Sequence, residues 1–302
     1  MQKNVDNSSV GAYYDAVSKN YHKYYDKDKL YDPLAVYPAD YFRLQLLLKS
    51  FADKHIKSLI EVGVGEGTPL ITLAKATDMD VWGFDISKKM VEKSKENMRK
   101  NELDPEHIFL GDIQNTATCS RMLKNRQFDG LMALGVMPHV ENDDLVLQNM
   151  ATLVCPGGSV FIEFRNSLFS LFTFNRYTAD FILNELLYDV DPKVKEIVAQ
   201  ELKTRLRMDL PLARTTVEDS DAPGYDAILS KFHNPFTTIE LFKKHNFADI
   251  ILHWYHYHPA MPYLSEKAPE LFRKAAISLE HETSGWRGMF LCSAFVIEAV
   301  KR

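Results

Sequence analysis

The chain has 302 residues, of which 46% are hydrophobic and 25% charged, which excludes a disordered, collagen-like or coiled-coil protein. At this length roughly three quarters of the unfolded surface can be buried, enough for one large α/β domain with insertions. The formal net charge of −5 argues against a general nucleic-acid binder, which needs a basic footprint.

Residues 1–35 are polar and rich in tyrosine, including Tyr14 and Tyr21. Residues 38–52 read as a helix, with Leu44, Leu47, Leu48 and Phe51 on one face. An apolar run at 58–64 ends in glycines, and a helix follows in which Thr68 suits the N-cap and Pro69 the first turn. Further strands are expected at 81–85, 107–110, 128–134 and 160–164. Helices are expected after Ser87, which can cap the first of them, and at 143–153; Pro156-Gly157-Gly158 reads as a tight turn. Alternation of this kind implies a Rossmann-like, doubly wound parallel sheet.

Residues 166–234 break the rhythm and read as an insertion over the carboxyl edge of the sheet, aromatic at first and helical at 192–207. Thr237 and Glu240 form a capping-box pair for a helix ending near Asn246. A strand at 250–257, a helix at 265–281 and a strand at 289–300 close the chain. The expected units are 1–56, 57–165, 166–234 and 235–302.

Cys119, Cys155 and Cys292 are far apart, with no metal-ligand histidine spacing, so neither a disulfide framework nor a metal site is expected. The polar N-terminus and the lack of an 18-residue apolar run give a cytoplasmic reading with no membrane partner.

Five features carry chemistry. Glu61-Val-Gly63-Val-Gly65-Glu-Gly67 stands at a strand-to-helix turn, where glycines let a ligand approach the backbone. Its spacing is neither the dinucleotide fingerprint nor a P-loop. Asp85 ends the next strand and can accept from two ribose hydroxyls. Gly111-Asp112-Ile113 ends the third strand, where Asp112 can accept from an adenine amino group while Ile113 packs on the ring. Phe128 through Gly135, then Val136-Met137-Pro138-His139-Val140, and Leu153 through Gly158 complete the set.

In this order these motifs resemble the class I S-adenosylmethionine-dependent methyltransferases of small-molecule type, closely over 58–165 and loosely elsewhere. The resemblance implies a seven-stranded sheet, an S-adenosyl-L-methionine-binding core at 57–165 and an inserted substrate lid at 166–234. It places Glu61, Gly63, Gly65 and Gly67 at the methionine end, Asp85 and Ile86 at the ribose, Asp112 and Ile113 at the adenine, and Leu134 and Gly135 beside the sulfonium. Tyr21 resembles the tyrosine that closes over the cofactor, and Arg43 stands where relatives bind the methionine carboxylate. His139 is the candidate general base, or a residue packed beside the cofactor, with Pro138 in place of the acid that usually precedes it. Tyr14, Arg165, Asn166, His256 and His258 are the candidate acceptor-side residues; 256 and 258 share one face of a strand.

The expected reaction is methyl transfer to a small-molecule acceptor, O-methylation first and N-methylation second. A nicotinamide oxidoreductase and a non-catalytic cofactor-binding partner are the readings from other classes. No nucleic acid partner is expected, and a homo-oligomer is left open.

Overall fold

Parallel strands covered on both faces need near-continuous apolar runs, and the first half of the chain supplies them. The computed structural model describes residues 7–17, 25–52, 54–115 and 126–302. The strands are β1 (Ser58–Val62), β2 (Asp80–Asp85), β3 (Ile108–Leu110), β4 (Phe128–Ala133), β5 (Val154–Arg165), β6 (Phe247–Tyr257) and β7 (Cys292–Lys301). They form one seven-stranded sheet in the order β3-β2-β1-β4-β5-β7-β6. The first five are parallel, while β7 enters antiparallel between β5 and β6. The sheet is therefore mixed, not purely parallel as strand–helix alternation alone implies.

The helices are α1 (Asn7–Val17), α2 (Ala39–Ala52), α3 (Thr68–Thr77), α4 (Lys88–Lys100), α5 (Asp143–Leu153), α6 (Ser170–Thr173), α7 (Arg176–Phe181), α8 (Pro192–Arg205), α9 (Pro235–Lys244), α10 (Pro269–Leu279) and α11 (Gly288–Leu291). Residues of α2, α3 and α4 pack on one sheet face against Leu59, Val81, Met132 and Phe161, and residues of α5 and α9 on the other against Ile60, Leu131 and Ile162. Phe51 of α2 stacks on Phe161 with ring centroids 4.4 Å apart, and burying one such ring contributes about 1.5–3 kcal/mol. Strand order reverses between β1 and β4, so the crevice that takes ligands in such sheets opens at their carboxyl ends.

Several local expectations shift. Gly67, in the left-handed conformation, precedes α3 with no side-chain cap, and Thr68 donates to Glu66 Oε1 at 3.1 Å. The 156–158 segment is part of β5, whose register against β4 shifts between Phe128 and Gly130. Asn234 caps α9 by accepting from Phe236 N at 3.0 Å, so the helix begins before Thr237. Ser87 caps α4 as expected, accepting from Met90 N at 3.1 Å. Among the described residues no helix is long and apolar enough to cross a membrane.

Candidate active site

The crevice at the ends of β1 and β4 is a cleft of about 700 Å3, counting its open mouth, and its walls include Tyr14, Gly63, Asp85, Ile113, Gly135 and His139. A smaller recess of about 250 Å3 adjoins it through Gly63, Gly65 and Leu134, and reaches Glu61, Tyr25 and Glu66.

The β1 turn is held by its own backbone. Gly63 N and Val64 N both donate to Phe84 O, at 2.9 and 3.0 Å. A Cβ on Gly63 would stand 2.4 Å from Val136 Cγ2, and Gly63 has φ +70°, so only glycine fits. Gly135 also has positive φ, yet a Cβ there would meet nothing within 4 Å. At Gly135 the missing side chain leaves the cleft open.

Asp85 binds the two turns together. Its Oδ2 accepts from Gly65 N and its Oδ1 from Ser87 N, each at 2.8 Å. Each oxygen keeps lone-pair capacity for a further donor. Burial pushes its pKa up to about 6, against the pull of these amides. Ile86 follows on the cleft wall. Asp112 Oδ1 accepts from Gln114 N at 2.9 Å, and Asn149 of α5 fixes the loop by donating to Ile113 O at 2.7 Å.

Glu61 is 1% exposed, and its Oε2 is buried without a hydrogen-bond partner among the described residues. Burial raises its pKa well above the usual carboxylate range. Such an atom calls for a donor or a cation.

His139 stands at the opposite wall. Its Nδ1 lies 2.6 Å from Leu229 O. A carbonyl only accepts, so Nδ1 carries the proton and Nε2 is an acceptor. The Tyr14 hydroxyl donates to Nε2 at 3.0 Å. Burial, aided by the charge of Arg165, pushes the His139 pKa down to about 4, so the ring is neutral at pH 7. Tyr14 is brought there by α1, which docks on α4 through Asp15. The Asp15 carboxylate accepts from Ser87 Oγ, and from Lys89 N at 3.2 Å.

The other expected residues divide. Gly67 packs under α4, where a Cβ would stand 2.7 Å from Ser94 Oγ, and is not on the cleft wall. Tyr21 lies outside the described residues. Arg43 is a correction: its guanidinium is 3% exposed and bound by Glu163, by Tyr25 OH at 2.9 Å and by Asp40 at 3.4 Å. A guanidinium buried this deeply requires counter-charges; Arg43 lines neither the cleft nor the recess, but it holds Tyr25 of the recess wall and its charge pulls against the upward shift at Glu61. Asn166 is a second correction. Its Nδ2 donates to Met289 O and Cys292 O, at 2.7 and 2.8 Å, and its Oδ1 accepts from Leu168 N at 3.1 Å. No polar atom is left for an acceptor. Asn166→Ala is expected to lower stability by about 2–4 kcal/mol, because buried backbone groups lose their partners. Urea unfolding checks this, and an unmoved midpoint would contradict it.

His256 and His258 are side by side, ring centroids 4.8 Å apart, but off the cleft. Positive φ at His256 breaks the pleat at the end of β6. His256 stacks on Tyr37 at 5.4 Å and His258 on Phe169 at 4.6 Å. Val10, Met90, Gln114, Val136 and Val140 of the cleft, and Tyr25 and Glu66 of the recess, were not anticipated. Glu66, Val136 and Val140 lie inside the motifs already singled out without a role assigned to them, and Gln114 directly follows one; Tyr25 belongs to the tyrosine-rich segment, and Val10 carries no local signal.

A 3-2-1-4-5-7-6 sheet, a glycine turn after its first strand and carboxylates ending the first two define the class I S-adenosylmethionine-dependent methyltransferase fold. Comparison with known proteins agrees. Residues 59–158 match a family model described as a methyltransferase domain. It is 29% identical over 100 residues to 27-O-demethylrifamycin SV methyltransferase of Amycolatopsis mediterranei, covering 33% of this chain and 35% of that protein. It is 25% identical over 187 residues to ubiquinone biosynthesis O-methyltransferase of Stutzerimonas stutzeri, covering 61% and 73%. A chain in the solved complex between the Haloferax volcanii Trm112 methyltransferase activator and a methyltransferase matches with a TM-score of 0.51 and 12% identity, over 95% of this chain and 96% of that one. At that identity the likeness is one of fold.

Proposed function

We propose that the protein transfers a methyl group from S-adenosylmethionine to a hydroxyl of a small molecule, with His139 as the general base. The observation that carries this reading is the neutral imidazole of His139, its Nδ1 fixed on Leu229 O and its Nε2 accepting a hydroxyl hydrogen bond at the cleft wall.

The residues present fit the cofactor. Glu61, with its unpartnered buried Oε2, would hold the ammonium. Asp85 would accept from the ribose hydroxyls through its remaining lone pairs. Asp112 would accept from the adenine amino group, Ile113 would pack on the ring, and Leu134 and Gly135 would flank the sulfonium. When bound, the cofactor supplies a methyl group made electrophilic by the positive sulfur.

The acceptor hydroxyl would take the place of Tyr14 as donor to Nε2, and His139 would take its proton while the methyl–sulfur bond gives way to the new O–C bond, with S-adenosylhomocysteine as the leaving product. A base with a pKa near 4 is weak at rest. It suffices because the acceptor oxygen becomes strongly acidic once it starts to bond carbon. The Nδ1–H bond to Leu229 O holds the ring in one tautomer and strengthens as the ring becomes charged. The two curated relatives described above, both named for O-methylation, support oxygen as the accepting atom.

The test is to incubate the chain with S-adenosylmethionine and a panel of phenols, aliphatic alcohols and amines, and to read mass gain. Methylated hydroxyl compounds are expected. Methylation confined to amines, at a rate indifferent to the residue at 139, would overturn the assignment.

A further inference from the structure

Arg165 is the last residue of β5 and is half-buried. Its Nη1 donates to Ser230 Oγ at 3.0 Å, and its guanidinium lies over the rings of Tyr225 and Phe232, 4.4 and 5.7 Å from their centroids. No carboxylate among the described residues lies within ion-pair distance of it. The contrast with its neighbours is sharp. Arg43 is bound by two carboxylates, and Arg214, on the same Tyr225 ring, pairs with Asp226 at 3.0 Å. A guanidinium offers five N–H donors in a planar fork, and Ser230 engages one nitrogen.

The groups around Arg165 do not neutralise it. Its charge reaches both His139 and His256, and opposes protonation of each. Both rings are neutral at pH 7, as are Tyr225, Phe232 and Ser230. Glu163, two residues back along β5, is engaged by Arg43 and by Tyr255 OH. A second open polar atom stands nearby: among the described residues His258 Nε2 is buried without a partner, on a ring tilted against His256. Tyr225 joins the two groups, its ring 4.4 Å from the Arg165 guanidinium and 5.5 Å from the His139 ring, and a cation with an incomplete donor set at that place is matched by a flat oxyanion.

We propose that the methyl acceptor is itself an anion, bearing a carboxylate or phosphate group that Arg165 binds through its guanidinium fork while the hydroxyl to be methylated lies at His139. The proposal rests on the reading of the cleft as a small-molecule methylation site. It gives Arg165 a role in acceptor choice in addition to its contacts with the 225–232 segment. A bound anion would also offset the field of Arg165 at His139 and raise the basicity of that ring.

The test uses the full chain saturated with S-adenosylhomocysteine and titrated calorimetrically with benzoate, phenyl phosphate and neutral benzamide. At least one anion is expected to bind about 30-fold or more tightly than benzamide, the effect of one or two charge-assisted hydrogen bonds. The preferred anion identifies the group as carboxylate or phosphate. Arg165→Gln should abolish that preference without changing affinity for S-adenosylhomocysteine, and Arg165→Lys should restore part of it. Equal affinity for benzamide and the anions, no binding of either anion, or a preference that survives in Arg165→Gln overturns the proposal. The two readings fail separately. Neutral phenols methylated as fast as their carboxylated counterparts would refute the anion alone, whereas anion binding without methylation of any hydroxyl compound would refute the O-methylation reading alone.

Discussion

Replacing His139 with glutamine lowers the rate constant for methyl transfer by about 10²–10⁴-fold, the usual contribution of a positioned general base, and leaves S-adenosylhomocysteine affinity nearly unchanged. Glutamine can still donate to Leu229 O, so the wall keeps its shape while the basic nitrogen is lost. The rate is read under single turnover on an acceptor found by the panel. Equal losses of rate and cofactor affinity would make His139 a packing residue. The pH profile gives an independent check. Only the neutral ring can accept a proton, and burial has moved its pKa from the ordinary 6.5 to about 4. With S-adenosylmethionine kept saturating at every pH, so that the cofactor-binding carboxylates do not enter the profile, the acid limb of kcat/KM for the acceptor is therefore expected near pH 4, well below where an exposed histidine would place it. A limb at 6.5 would assign the base elsewhere.

Asp85→Ala is expected to weaken S-adenosylhomocysteine binding by about 100-fold or more, because two charge-assisted hydrogen bonds at about 1.5–3 kcal/mol each are lost. The variant also releases Gly65 N and Ser87 N, the amides that Asp85 holds at the two turns. Asp85→Asn separates these effects by keeping an acceptor oxygen without the charge. With a pKa of about 6 in the free protein, the wild-type carboxylate protonates as pH falls through 6. Hydroxyl donors favour its ionised form, so affinity should fall in that same window. The Asn variant should be weaker at pH 8 and flat from 8 to 5. Calorimetry across that range decides, and an Asp85→Ala affinity close to wild type would remove Asp85 from the ribose site.

Sequence patterns read well wherever a residue answers to its immediate neighbours. Both ends of α5 are legible, since Asn142 can cap it by accepting from Leu145 N and the apolar spacing runs out at Leu153. The glycines and carboxylates of the cleft are legible for a similar reason: a tight turn and a strand end impose residue types directly. The later elements are less so. A register shift between Ala248 and Ile251 hides the first residues of β6 from its alternation, and the helical turn at Gly288–Leu291 delays β7 to Cys292. The working contacts of the site were not legible. Tyr14 and His139 are 125 residues apart, His139 and Leu229 are 90 apart, and Arg43 and Glu163 are 120 apart. Periodicity cannot encode pairings over such separations. It also could not show that Asn166 spends both amide donors inside the protein, or that Glu163, Asp40 and Tyr25 hold the two terminal nitrogens of Arg43, although both residues suggest ligand contacts by position.

The way segment 166–234 leaves and rejoins the sheet has one more consequence. Its ends are neighbours: His233 N donates to Arg165 O at 2.7 Å, and Ser167 N to His233 O at 3.0 Å. The Asn166 amide fastens the departing strand to the backbone of α11 and β7. A loop whose ends are clamped together makes small demands on what lies between them, since doubling its length costs only about 0.6 kcal/mol in closure entropy. The stretch before Tyr225 can therefore change in length at small cost to the cleft floor, whereas 225–232 is tied to it through Leu229 O on His139 and Lys231 N on Pro138 O. Change in this segment alters the company His139 and Arg165 keep and leaves untouched the strand ends from which Glu61 and Asp85 project. A single pair of adjoining backbone hydrogen bonds thus marks where the segment leaves and rejoins the sheet.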